Sequence, residues 1–251
     1  MENKEKKLEY LYRIPCFMFD MKGQLRPAAF MDMAQELAVQ GAEQLEFDDK
    51  QLRPHNIVWI LARMTVEFDN YPQRYDSVTL QTWHRGLNSL YFIRDYQAIG
   101  TDGKVAVRGT SSWILMDWTT RRVIRSDKLQ GVIPPNPQCD EQAIRESSPK
   151  IVLPAGAVME PAGSHTVVYS DVDYNGHANN AKYTAWALDC LDQEYVYRKQ
   201  VKNIVINFNH EAAPGSTVDF MHYQTEDTHY LEGVCNGHQV FICRIIFEDR
   251  K

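Results

Sequence analysis

Apolar residues recur along this chain in two alternating rhythms, and the order of those rhythms occurs twice. From Pro27 to Leu45 they return at three- and four-residue steps (Phe30, Ala34, Leu37, Gly41, Leu45), which predicts a helix with Pro27 in its first turn. Strand-like alternation follows at 57–69, 76–85, 90–99 and 104–118, with Asn88 and the Gly100–Gly103 segment as turns. After residue 162 the plan repeats. A short strand, HTVVYS, precedes a predicted helix of about 178–198 striped by Ala181, Thr184, Leu188, Leu191 and Tyr195. Strands are expected near 201–210, 217–225, 228–235 and 238–247, with Pro214-Gly215 and Asn236-Gly237 as turns. Each half is thus a long helix followed by an antiparallel meander, which suggests a sheet curled around its helix: an α+β chain with a duplicated module.

Six of the eleven prolines fall between Pro134 and Pro161. Proline removes ladder donors and fixes φ, so 131–162 is expected to be a linker between modules at 1–130 and 163–251.

Individual positions also align. Asp20 and Gly23 of DMKGQ match Asp173 and Gly176 of DYNGH, but Lys22 and Gln24 stand where the second copy has Asn175 and His177. Phe68 of VEFDNYP matches Phe208 of INFNHEA, and Tyr71 falls opposite Glu211. If the copies fold alike, the second has the histidine and carboxylate for acid–base chemistry, and the first is free to become a binding wall.

Composition narrows the class. Hydrophobic residues make up 44% and charged residues 24%, ordinary for a globular protein. No apolar run approaches the ~20 residues of a membrane span. The opening MENKEKKLEY has neither signal nor transit character, so a cytoplasmic location is expected. Five cysteines without a CxxC spacing indicate neither a disulfide framework nor a thiolate metal site. The net charge of -6 argues against nucleic acid as a partner.

The densest chemistry is DVDYNGHANNAKYTAWALD, Asp171 to Asp189. Asp173, Asn175 and His177 are spaced by two, so an extended approach places them on one side. Gly176 permits a turn. Asn179 or Asn180 is expected to cap the helix that follows, whose N-terminal N–H groups and dipole suit an oxyanion. Asp171, Asp189 and Asp192 are expected as surface or cap residues and Trp186 as packing. His210-Glu211, at a strand end, does not begin an HExxH motif, so a zinc protease is unsupported; read from its surroundings alone it is an exposed loop pair.

DYNGHANNAKYTAW closely resembles the signature of the acyl-acyl-carrier-protein thioesterases, D-x-N-x-H followed by V/A-N-N-x-x-Y and a tryptophan. The resemblance extends over nearly the whole chain, including YRIPCFMFD and the segment Trp59 to Met64. It implies a double hot-dog fold, and it implies a further catalytic glutamate on a later strand, which INFNHEA places at Glu211 in reversal of the bland reading. The plant relatives commonly carry a cysteine after that glutamate. Here the residue is Ala212, so a thiol nucleophile at this position is excluded. The missing plastid leader fits a bacterial, cytoplasmic version.

The resemblance implies hydrolysis of a fatty acyl-carrier-protein thioester to free fatty acid and holo-carrier, ending chain elongation, with no metal or other cofactor. Asp173, Asn175, His177 and Glu211 are the expected catalytic set. Glu211 and His177 would polarise water, Asn175 would hold water or oxyanion, and Asp173 would orient the network; direct attack by Glu211 through an anhydride stays open. Phe30, Met33, Leu37 and Trp59 are expected to line the acyl channel in the first module. An acidic carrier calls for a basic landing patch, at Arg121, Arg122, Arg125 and Lys128 or at Lys182, Arg198, Lys199 and Lys202. Monomer and homodimer are both compatible with two fused modules. The competing readings are an acyl-CoA thioesterase, a dehydratase of 3-hydroxyacyl thioesters, and a non-enzymatic acyl-thioester sensor.

Overall fold

The computed structural model describes residues 6–125 and 139–250. The first half comprises β1 (Lys7–Arg13), α1 (Pro27–Gln44), α2 (Asp49–Leu52), β2 (Ile57–Phe68), β3 (Ser77–Asn88), β4 (Tyr91–Gly100), β5 (Val105–Asp117) and the short β6 (Val123–Ile124). The second comprises β7 (Glu160–Thr166), α3 (Asn180–Asp189), α4 (Gln193–Arg198), β8 (Lys199–Phe208), β9 (Thr217–Thr225), β10 (Thr228–Cys235) and β11 (His238–Asp249).

The strands form one antiparallel sheet in the order β1-β3-β4-β5-β2-β8-β11-β10-β9-β7, with β6 beside β5. Exchange β1, β3, β4, β5 and β2 for β7, β9, β10, β11 and β8, and the order reads the same from either end. The duplicated pattern therefore becomes two curled sheets joined edge to edge, the double hot-dog arrangement. The joint is β2 against β8, from Arg63 opposite Asn207 to Glu67 opposite Asn203. It removes an exposed edge from each module, the strand surface most prone to unwanted pairing.

α1 begins where expected because Pro27 occupies its first turn, where a missing N–H is harmless. Its buried face includes Phe30, Met31, Met33, Ala34, Leu37 and Ala38. Each large side chain so buried contributes roughly 1.5–3 kcal/mol. One core cluster runs from these residues through Met64, Val66 and Phe68 to Tyr183, Trp186, Ile204, Ile206 and Phe241. The modules thus share a hydrophobic interior as well as a sheet.

Three expectations differ from the structure. The helix expected at 178–198 is two helices, broken at Cys190–Asp192, because the Asp192 carboxylate accepts from Tyr195 N–H and starts α4 afresh. The strand expected at HTVVYS lies earlier, at Glu160–Thr166, and shifts register between Pro161 and Gly163. β1 was absent from the expected strands, although Leu8, Tyr10 and Tyr12 alternate and pack on the core.

Within the linker expected at 131–162, residues 131–138 lie outside the described residues. From Cys139 on, the chain crosses the sheet's outer face. Trp83 Nε1 donates to Glu141 O, Ala143 N–H to Asp95, Ser148 Oγ to Thr110 O, and Ile151 N–H to Asn207 Oδ1. The strap spans both modules and satisfies polar groups that would otherwise be buried unpaired.

Candidate active site

The DYNGH segment is a tight turn, not the extended approach expected. Gly176 N–H donates to Asp173 O, Asp173 N–H to His177 O, and Gly176 has φ +84, a left-handed conformation suited to glycine. The Asp173 carboxylate accepts from Asn175 N–H at 2.8 Å and faces its side-chain amide at 3.4 Å. The first module contains the same turn. Gly23 has φ +79, its N–H donates to Asp20 O, and the Asp20 carboxylate takes Lys22 N–H at 2.8 Å.

Asn179 caps α3, its side chain accepting from Ala181 N–H. That N–H is therefore engaged, as is Lys182 N–H by Asn179 O. Asn179 also donates to Asp32 of α1 and accepts from Gln35, tying the start of α3 to the other module.

Past the end of β8 the chain turns back over the motif, and Ala178 N–H donates to Ala212 O. Ala212 N–H donates to the Tyr183 hydroxyl at 3.1 Å. Burial pushes that hydroxyl up to about 12, with Glu211 nearby adding to the shift, so it is neutral at physiological pH. Tyr183 thus explains the tyrosine three residues beyond Asn180: it clamps the backbone beside Glu211. The spacing contained this signal, but its partner lies 29 residues away and only folding reveals it.

The clamp leaves Glu211 Oε2 3.1 Å from His177 Nε2. Arg121, after β5 in the other module, places Nη2 2.7 Å from the same oxygen. Sequence reading placed Arg121 only in a surface patch. His177 is half-buried, and Glu211 and Asn175 are exposed, so all three are open to solvent. Among the described residues, no group of three or more His, Cys, Asp or Glu gathers as a metal site would require.

The duplicate site in the first module is closed. Arg250 donates to Asp20 and to Gln24 Oε1, Gln24 also meets Gln200, and Tyr71 donates to Val201 O. Here the C-terminal module supplies the arginine, mirroring Arg121.

Phe30, Met33 and Leu37 are buried in the shared core, Phe30 edge-on to Phe68. Trp59 lies apart from them, in a second cluster with Leu45, Phe47, Leu52, Ile57, Leu115 and Phe92, its indole N–H on Phe47 O. The four residues expected along one channel therefore occupy two regions. A cavity of about 700 Å³ lies elsewhere, bordered by Arg85, Asn88, Asp140 and Arg145, and touches none of them.

Asp171 is buried rather than at the surface, but it acts as a cap, its carboxylate receiving Val168 N–H at the start of the turn Tyr169–Asp171 and meeting His165 Nε2 at 2.7 Å. Trp186 is packed against Tyr183 and Phe220. Lys182, Arg198, Lys199 and Lys202 are each paired with a carboxylate. In the other basic cluster Arg121 is paired with Glu211, and Lys128 lies outside the described residues.

Comparison with known proteins agrees with this architecture. The family model for the acyl-ACP thioesterase N-terminal domain matches residues 5–128, and that for the C-terminal domain matches 160–243. The chloroplastic oleoyl-acyl carrier protein thioesterase 2 of Arabidopsis thaliana is 29% identical over 178 residues, covering 67% of this chain and 48% of the relative. A chloroplastic palmitoyl-acyl carrier protein thioesterase of Gossypium hirsutum is 27% identical over 166 residues, covering 65% and 40%. The chain thus spans less than half the length of these two relatives. The crystal structure of an acyl-ACP thioesterase from Bacteroides thetaiotaomicron superposes with a TM-score of 0.87 at 25% identity, covering 99% of this chain and 100% of that one.

Proposed function

Because the chain belongs to the acyl-ACP thioesterase family, we propose that it hydrolyses the thioester of a fatty acyl-carrier protein, releasing free fatty acid and holo-carrier. The observation that carries this reading is the His177 Nε2 to Glu211 Oε2 approach of 3.1 Å, an imidazole and a carboxylate on an accessible surface. A water between them and an incoming thioester loses its proton to this pair as it attacks the carbonyl. The tetrahedral oxyanion is received by the exposed Asn175 carboxamide, which Asp173 orients. Collapse expels the carrier's thiolate, which takes up the proton. A thioester is already an activated acyl group, so the pair needs no further electrophile.

We assign catalysis to the module at 163–251 and acyl binding to that at 1–130, with 131–162 joining them. The contrast between the two turns supports this division: Asp20, Lys22 and Gln24 are engaged by Arg250 and C-terminal side chains, whereas His177 and Glu211 face each other. Phe30, Met33, Leu37 and Trp59 remain the channel assignment. Among the described residues, no helix is long and apolar enough to cross a membrane. Five free cysteines suit a reducing compartment, so we place the reaction in the cytoplasm, in a monomer or homodimer.

The test is thiol release from a panel of acyl-carrier proteins and matched acyl-CoAs by the wild type, His177→Ala and Glu211→Gln. Turnover that favours the carrier and falls about 10²–10⁴-fold in both folded variants supports the reading. Faster acyl-CoA turnover transfers it to the acyl-CoA class, and no release from any acyl group sinks it.

A further inference from the structure

The inner face of the first module is not apolar throughout. Phe47, Trp59 and Phe92 meet edge-on, with ring centroids 4.7 Å apart for Phe47–Trp59 and 5.0 Å for Trp59–Phe92. Ile124 packs on this cluster three residues after Arg121, which touches Glu211. β8 runs antiparallel to β2, with Asn207 opposite Arg63, so the chain beyond β8 continues in the direction of the N-terminal end of β2. The aromatic cluster is therefore apolar ground joined through Ile124 to the turn that carries Arg121, on the side of the sheet where the acyl chain is assigned.

Behind Phe92 the ground changes. The His84 ring lies 6.1 Å from the Phe92 ring and is 6% exposed, yet both its nitrogens lack a hydrogen-bond partner among the described residues. Arg94, 8% exposed, points Nη1 at Thr82 Oγ1 at 3.3 Å. Gly41 of α1 makes room for it, since a Cβ there would sit 2.4 Å from Arg94 Nη1. Burial and the nearby Arg94 hold the His84 pKa down to about 4, so the ring is neutral and keeps one donor and one acceptor nitrogen.

Neither residue suits a plain hydrocarbon lining. A guanidinium and an imidazole taken out of water need partners, and a methyl terminus offers none. An oxygen accepts from both Arg94 and the imidazole N–H, or, as a hydroxyl, accepts from Arg94 and donates to the ring's acceptor nitrogen. We propose that the first module selects acyl chains carrying a hydroxyl or oxo oxygen remote from the thioester, held by His84 and Arg94 beyond the Phe47–Trp59–Phe92 cluster. The proposal rests on the thioesterase reading and names its substrate class. The hydrolysis is unchanged; the oxygen-bearing chain differs only in how its far end is bound.

The test uses the full chain and matched carrier-bound substrates: dodecanoyl, and a positional series of hydroxydodecanoyl and oxododecanoyl groups. The expected result is a kcat/KM ratio of about tenfold or more for at least one oxygenated position over dodecanoyl. That ratio should collapse toward one in His84→Phe and in Arg94→Met, each checked for folding by circular dichroism. A wild-type preference for plain dodecanoyl, or a ratio unchanged in a folded variant, overturns the proposal and leaves His84 and Arg94 as packing residues of a closed interior. Calorimetry of the wild type with free 12-hydroxydodecanoic, 12-oxododecanoic and dodecanoic acids and their positional isomers needs no turnover. Tighter binding of an oxygenated acid supports the proposal even if no carrier substrate is cleaved, an outcome that would count against the thioesterase reading alone; equal or weaker binding of all of them overturns the proposal.

Discussion

Arg121 Nη2 stands 2.7 Å from Glu211 Oε2, so a residue of the first module holds the carboxylate proposed to act in the second. Arg121 has φ +56, a left-handed conformation that costs a non-glycine residue about 1–2 kcal/mol, and the turn holding it lies between β5 and β6. Both side chains are substantially solvent-exposed, 47% and 35%, so the pair itself contributes only about 0–1 kcal/mol to stability. Its expected role is to aim the carboxylate. Arg121→Ala should therefore lower kcat about tenfold through misplacement while leaving the urea midpoint nearly unchanged. An unaltered kcat would show that Glu211 keeps its orientation without the arginine.

Tyr183 bears on the same carboxylate from behind. Tyr183→Phe removes the hydroxyl that receives Ala212 N–H, and a buried orphan donor costs about 1–3 kcal/mol. Denaturant unfolding should show that loss together with a lower kcat. Stability lost with kcat intact would make Tyr183 a packing residue only.

The duplicated turns allow a paired comparison. Gly176 and Gly23 have φ +84 and +79, and a Cβ at Gly176 would meet nothing within 4 Å. Gly176→Ala and Gly23→Ala should each cost about 1–2 kcal/mol from backbone conformation alone. Only the first should slow thioester hydrolysis, because only the first turn carries His177. Equal loss of activity in both would contradict the division of labour between modules.

His84 makes a prediction about acid. Its pKa is lowered from 6.5 to about 4, chiefly by burial and then by Arg94. The unfolded chain takes up a proton as pH falls below 6.5 that the folded chain refuses until about 4. This contribution to stability is present above pH 6.5 and is lost on descent through that window, amounting to roughly 3 kcal/mol. Urea midpoints from pH 7 to 4.5 should fall less steeply in His84→Phe than in the wild type. Parallel slopes would mean that the ring ionises freely in the folded state. His229, also lowered to about 4 by burial, adds a slope of the same sign that both proteins share.

The chain's periodicity sufficed for the two long-range repeats of helix and meander, because the three- to four-residue period of a buried helix face and the two-residue period of a strand are local properties. It likewise sufficed for the Asp20/Asp173 and Gly23/Gly176 correspondence, since a turn that needs a left-handed residue leaves its glycine in the sequence. The break at Cys190–Asp192 was harder to see, because the apolar stripe continues through Leu191 to Tyr195 and only the Asp192 cap interrupts it. Glu211 looked like a loop residue in its own surroundings and gained a role from family resemblance.

Tertiary structure decided the rest, because the remaining relationships join distant segments. His177 and Glu211 are 34 residues apart, and Arg121 and Glu211 are 90, so no local pattern relates them. The edge-to-edge joint of β2 and β8 brings the first module's arginine to the second module's carboxylate, and the second module's Arg250 to Asp20. Periodicity also could not separate Phe30, Met33 and Leu37 from Trp59, since all are apolar positions on inward faces. Side-chain packing places the first three in the shared core and Trp59 in the aromatic cluster that ends at His84.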